Sequence, residues 1–177
     1  MPDVVLINAL SEHLSALPET TIYAVLDGAS VPNLPQMLER LSVESVCLFP
    51  GELEPDVAQV AAYLAVFKLD TPFSEWVLEE GWGRHWGIFA ISQANLRTVR
   101  DHLRSFLKVY GPALEPLEFR YYDPRVLRVY LPTCNAKELR TVFGPVLRYL
   151  AEGEESNILL KFSLDGEQLR SEPVVLA

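Results

Sequence analysis

Apolar side chains recur at helical spacing through residues 4–17, Val-Val-Leu-Ile-Asn-Ala-Leu-Ser-Glu-His-Leu-Ser-Ala-Leu, and the run stops at Pro18. The spacing predicts an amphipathic helix. Apolar runs of strand length follow at 21–26, 45–49, 63–69 and 86–91, each bounded by Gly, Pro, Asp or Ser. Helical patterns fall between them at 34–41, 57–62 and 73–80, and a long one follows at 95–106 that Ser92 or Asn95 is placed to cap. Strands are expected near 106–110 and at 117–121, helices over 124–131 and 136–143, and a strand over 146–151. The chain then reads Ile158 to Leu164, Asp165-Gly166, Glu167 to Ser171, and Asp-Gly between two such runs is a strong hairpin signal.

Alternating strands and helices predict an α/β fold, a sheet flanked by helices and ending in a C-terminal β-hairpin. Some links are too short for parallel crossovers, which predicts a mixed β-sheet. Ile22, Val25, Cys47, Phe49, Val66, Ile88, Phe89 and Phe119 are expected in one buried sheet core. Gly153-Glu-Glu-Ser156 is the one linker-like stretch. It divides a body, 1–152, from a hairpin extension of the same domain, 153–177, and removal of residues after Gly153 is expected to leave the body folded.

Composition narrows the function. A chain of 177 residues, 49% apolar or aromatic, has enough core for one domain and is too apolar for disorder. The formal charge of −9 argues against a nucleic-acid partner, which is held by lysine and arginine. Arginines nevertheless gather in the second half: Arg97, Arg100, Arg104, Arg120, Arg125, Arg128, Arg140 and Arg148. Cys47 lies in an apolar run and reads as a buried thiol, while Cys134 lies in a loop with no histidine near it in sequence. No signal-peptide pattern and no apolar run of about 20 residues is present, so a cytoplasmic protein that does not enter the membrane is expected.

Candidate chemistry is sparse. Gly81-Trp-Gly-Arg-His-Trp-Gly87 has glycine spacing like that of a dinucleotide loop. Here, however, a helix precedes and a strand follows, the reverse of what a phosphate loop requires. Asp27 ends an apolar strand without a second carboxylate beside it, and reads as a turn cap or an arginine partner. His13, His85 and His102 have no metal-ligand spacing. No catalytic residue, metal site or cofactor is therefore expected.

The densest polar segment is Phe119-Arg-Tyr-Tyr-Asp-Pro-Arg-Val-Leu-Arg-Val-Tyr-Leu-Pro132. Asp123-Pro124 marks a helix start, with Arg125 and Arg128 on one face. Two readings are open. In one, the arginines form an internal ion-pair and cap network around Asp123. In the other, Arg120, Arg125 and Arg128 form a partner-facing pocket and Arg104 belongs to a basic docking stripe; Trp82 and Trp86 read first as packing residues, with Trp82 as a partner-binding aromatic the alternative.

This segment, with Leu131-Pro132-Thr133 and Phe143-Gly144-Pro145, resembles the Tap/VasW-like adaptor chaperones of bacterial type VI secretion. Further landmarks fit in order: Tyr23 to Ala29, Leu48-Phe49 with Gly51, Trp82 to Gly87, and His102-Leu103-Arg104. The resemblance implies a cytoplasmic, non-enzymatic protein that binds a toxin effector and helps load it onto the valine–glycine-repeat spike protein. Two other readings differ in class. One is a small hydrolase or nucleotide-handling enzyme built on Asp27 and the arginines, which requires a polar cleft with a second acid. The other is an immunity-like or regulatory binding module.

Overall fold

The computed structural model describes residues 3–15 and 17–177. Nine strands and seven α-helices are present among them. Helix α1 (Val4–Leu14) starts on Asp3, whose carboxylate accepts from Val5 N at 3.3 Å, and buries Leu6, Leu10 and Leu14 along one face. The helix was expected to reach residue 17; Ala16 lies outside the described residues. Strand β1 (Thr21–Asp27) leads to α2 (Leu34–Arg40), β2 (Ser45–Cys47), α3 (Pro55–Val60) and β3 (Ala62–Phe67). Helix α4 (Pro72–Trp76) begins with a Thr71–Ser74 capping box and widens into a π-helical turn, Val77–Gly81. Then come β4 (Gly87–Ser92), α5 (Leu96–Arg104), β5 (Lys108–Tyr110), β6 (Pro116–Glu118), α6 (Pro124–Tyr130), α7 (Ala136–Phe143), β7 (Val146–Glu152), β8 (Ile158–Asp165) and β9 (Gln168–Val175).

Seven strands form one sheet in the order β2-β3-β1-β4-β7-β8-β9. Helices flank it and a hairpin ends the chain, as the pattern predicts. The parallel pairs of a mixed sheet are not there: every pairing in the sheet is antiparallel. The links 153–157 and 166–167 are too short for a parallel crossover, which needs a dozen residues or more, whereas 48–61 between β2 and β3 was long enough for one and still joins antiparallel neighbours.

The single core expected from the sequence is two cores. Side chains alternate across a strand, so neighbours in sequence point to opposite faces. Tyr23, Val25 and Ile88 pack under α5, α6 and α7, while Ala24, Leu26 and Phe89 pack under α1, α2 and α4. Ile22, Cys47, Phe49, Val66 and Phe119 are only half-buried. Ile22 lies near the start of its strand, Cys47 and Phe49 lie on or just past the edge strand β2, and Phe119 follows the separate hairpin described next.

Strands β5 and β6 form a two-stranded sheet of their own. They expose Val109, Tyr110, Leu114 and Leu117. The strand expected at 117–121 ends at Glu118, leaving Arg120 in the turn before α6. The terminal hairpin belongs to the main sheet: β8 pairs with β7 from Tyr149–Phe162 to Glu152–Leu159. Its loop is Gly166-Glu167, since Asp165 pairs with Gln168, and Gly166 takes φ +61°.

Candidate functional site

Asp27 ends the inner strand β1 and is 1% exposed. A buried carboxylate must be bonded. It accepts from Ala29 N at 3.0 Å and Ser30 Oγ at 3.0 Å, and Arg120 closes an ion pair on Oδ2. Burial would lower the Arg120 pKa, but Asp27 and the Tyr122 hydroxyl outweigh that and raise it. Burial first, then the charges of Glu118 and Asp27, pushes the Tyr122 hydroxyl up to about 12.

The neighbouring helix α6 is built on Asp123. Its Oδ1 accepts from Arg125 N at 2.9 Å as the cap, and Arg125 Nε and Nη2 reach Oδ1 and Oδ2 at 3.1 and 2.9 Å. Burial pushes the carboxyl pKa up, and the bonds from Arg125 more than reverse this, holding it below the usual value. One turn on, Arg128 Nη1 donates to Glu152 O at 3.3 Å and Gly153 O at 3.1 Å.

The Trp-Gly turn meets the same corner from the other side. Gly83 takes φ +84°. Gly83 N and His85 N donate to the buried Glu152 carboxylate at 2.6 and 2.9 Å. His85 Nδ1 stands 2.5 Å from Glu152 Oε1, without the geometry of a hydrogen bond. Trp82 Nε1 donates to Ser156 O at 2.6 Å. Two segments about forty residues apart in sequence, 82–87 and 120–128, thus fasten residues 152–156 between β7 and β8.

Each partner-binding candidate therefore has an internal contact. Arg120 holds Asp27, Arg125 holds Asp123, and Arg128 holds backbone. Arg104 donates from Nη2 to Cys47 O at 2.8 Å and from Nε to Leu48 O at 3.1 Å, at the open edge of β2. Trp82 and Trp86 are 8% and 7% exposed and sit in the core under α1, α2 and α4. The Arg120 and Arg125 side chains keep 44% and 54% of their surface in solvent, so both still face outward. Of the arginines beside Arg104 on α5, Arg100 pairs with Asp101 at 2.8 Å, and Arg140 on α7 pairs with Glu167 at 3.0 Å.

Glu152 and Ser156 organise the corner, and the sequence reading missed both. Glu152 did carry a signal, as a charge closing the apolar run Tyr149-Leu-Ala151. Ser156 carried none, because it contributes only its backbone oxygen.

The family model described as Domain of unknown function (DUF4123) matches residues 22–141. The chain belongs to the DUF4123 family. That family is known as a type VI secretion effector adaptor domain. No curated protein and no solved structure matches the chain. The DUF4123 match runs from β1 into α7 and contains both fastening segments. The corner they fasten, 152–156, and the hairpin β8–β9 lie beyond it. Among the described residues, no helix is long and apolar enough to cross a membrane, and no three His, Cys, Asp or Glu side chains gather as metal ligands would.

Proposed function

We infer that this protein is a non-enzymatic adaptor chaperone of the cytoplasm. It binds a type VI secretion toxin effector and helps load it onto the valine–glycine-repeat spike protein, without a cofactor. The observation that carries this reading is the DUF4123 match over most of the chain. The geometry adds support. The carboxylates that an enzyme would need, Asp27 and Asp123, are engaged by Ser30, Arg120 and Arg125. Apolar side chains stand in solvent instead: Tyr110 is 71% and Leu114 81% exposed. Exposed apolar surface of that kind marks protein–protein contact.

The test is co-purification with the product of the toxin gene beside this one, together with deletion of this gene. The expected result is a stable complex, and loss of that toxin's delivery while the secretion machine still works. Normal delivery from the deletion strain would refute the adaptor. The purified protein is further expected to show no hydrolase turnover, and activity lost on Asp27→Asn would decide for an enzyme.

A further inference from the structure

Helix α6 and strand β8 leave a groove of about 450 Å³ between them on the face of the sheet that carries α5–α7. Val129, 67% exposed, forms one wall. Ile158 and Leu160 form the floor. Val175 and Pro173 pair with these two across the hairpin, which places them on the same face, and Val175 is also 67% exposed. The apolar strip is thus continuous from the helix to the last strand.

The end of this groove is acidic and fixed. Glu154 and Glu155 line it, and their carboxylates make no hydrogen bond or ion pair among the described residues. Arg128, the cation lining the groove, turns its Nη1 to the carbonyls of Glu152 and Gly153. The loop bearing the two acids is clamped at both ends. Gly153 N donates to Ile158 O at 2.8 Å, Ile158 N to Glu155 O at 3.0 Å, and the Trp82 indole to Ser156 O at 2.6 Å. A Cβ on Gly153 would stand 2.8 Å from Ile158 Cγ2, so glycine lets the floor close under the loop. The side chains that fasten the corner, Trp82 and Arg128, thereby hold two unpaired carboxylates beside an apolar channel.

The neighbouring edge argues against a strand as occupant. Leu176 N bonds inward to Asn157 O, so alternate residues of β9 bond inward and Pro173 faces the open edge. Proline there removes a donor that an added strand would need. The side-chain face remains, and an amphipathic helix fits a groove of that kind through apolar residues about one turn apart.

We propose that this groove docks an amphipathic helix of the partner protein, with apolar side chains on Ile158, Leu160 and Val129 and a lysine or arginine flank on Glu154 and Glu155. The identification of that partner as the effector rests on the adaptor reading above; the groove and its preference do not.

The probe is a dye-labelled leucine–lysine peptide of about 18 residues, long enough to be helical and patterned with leucines on one face. Its binding to the full chain is read by fluorescence anisotropy. Wild type is expected to bind it saturably, and a scrambled peptide of the same composition is expected not to bind. Val129→Asp, and separately the pair Glu154→Lys and Glu155→Lys, should each weaken binding about tenfold or more, the usual effect of losing an interface anchor. All three sites are exposed, so circular dichroism and melting should match wild type. Should Val129→Asp misfold, Val175→Asp takes its place. Val5→Asp on α1, across the sheet from the groove and 60% exposed, should change nothing.

Equal binding by the groove variants, equal binding of the scrambled peptide, or equal loss with Val5→Asp overturns the proposal. So does a wild-type dimer that Val129→Asp converts to monomer, since a second copy then covers the groove. If an effector co-purifies equally with wild type and Val129→Asp, the groove proposal falls and the adaptor stands. If the peptide behaves as expected and no effector is ever found, the adaptor falls and the groove stands.

Discussion

Asp123 caps α6 and pairs with Arg125 through one carboxylate. Asp123→Ala removes both and should cost about 0.5–2 kcal/mol, the range for a lost N-cap. Asp123→Asn keeps an acceptor for the cap and should lose less; urea midpoints at unchanged slope measure both. The Asp123 pKa is lowered in the fold, so this stability is present above the unfolded carboxyl value and is lost as pH falls through the folded one. His102 works the same way in a different window. Burial lowers its pKa, against the opposing bond between Nε2 and Val142 O at 2.8 Å. The folded protein holds it neutral while the unfolded chain takes up a proton below about 6.5. The stability gap between wild type and His102→Gln should therefore narrow as pH falls from 7.5 towards 5; a constant gap would remove His102 from the account. The sequence made Asp123 and the arginines visible, because caps and clusters are local patterns. It did not reveal that Arg120 reaches back to Asp27, ninety-three positions away, since only the folded sheet brings them together.

At the level of elements, the helix starts were the most legible feature. Asn95 caps Thr98 N at 2.9 Å, and α7 runs over the predicted 136–143 behind an Asn135–Glu138 capping box. Such signals are complete within four residues. The π-helical turn Val77–Gly81 was not legible, because it answers to tertiary fit: a Cβ on Gly81 would stand 2.5 Å from the Trp86 ring. Strand direction was equally hidden: cores lie on both faces, so these antiparallel strands read as the continuous apolar runs usual for parallel ones. Gly87 shows how tightly the central strands meet. A Cβ there would stand 2.0 Å from Val25 O, which is backbone and cannot swing aside. Gly87→Ala should destabilise the protein by about 1–3 kcal/mol through overpacking. Thermal melting checks this; an unchanged midpoint would mean that β1 and β4 can separate at no cost.

The whole molecule differs most from its sequence at the C-terminus. A glycine–acid–acid–serine stretch before a hairpin looks like a tether, and 153–177 like a removable extension. In the fold, Leu159 and Leu176 are buried in the core under α1, α2 and α4, and Phe162 in the opposite one. At about 1.5–3 kcal/mol for each buried side chain, removing these three withdraws roughly 5–9 kcal/mol. A domain of this size has in total only about 5–15 kcal/mol of stability. Deletion also opens the edge of β7 to solvent, leaves Trp82 Nε1 without Ser156 O, and strips Arg140 of Glu167. A chain ending at Gly153 is therefore expected to be unfolded or aggregated, with near-ultraviolet circular dichroism and cooperative melting both lost. The milder variant Trp82→Phe keeps the aromatic in the core and deletes one hydrogen bond, so it should remain folded and lose about 0.5–1.5 kcal/mol. If the chain ending at Gly153 instead melts cooperatively near the full-length midpoint, β8 and β9 are an appendage, and the two cores close without them.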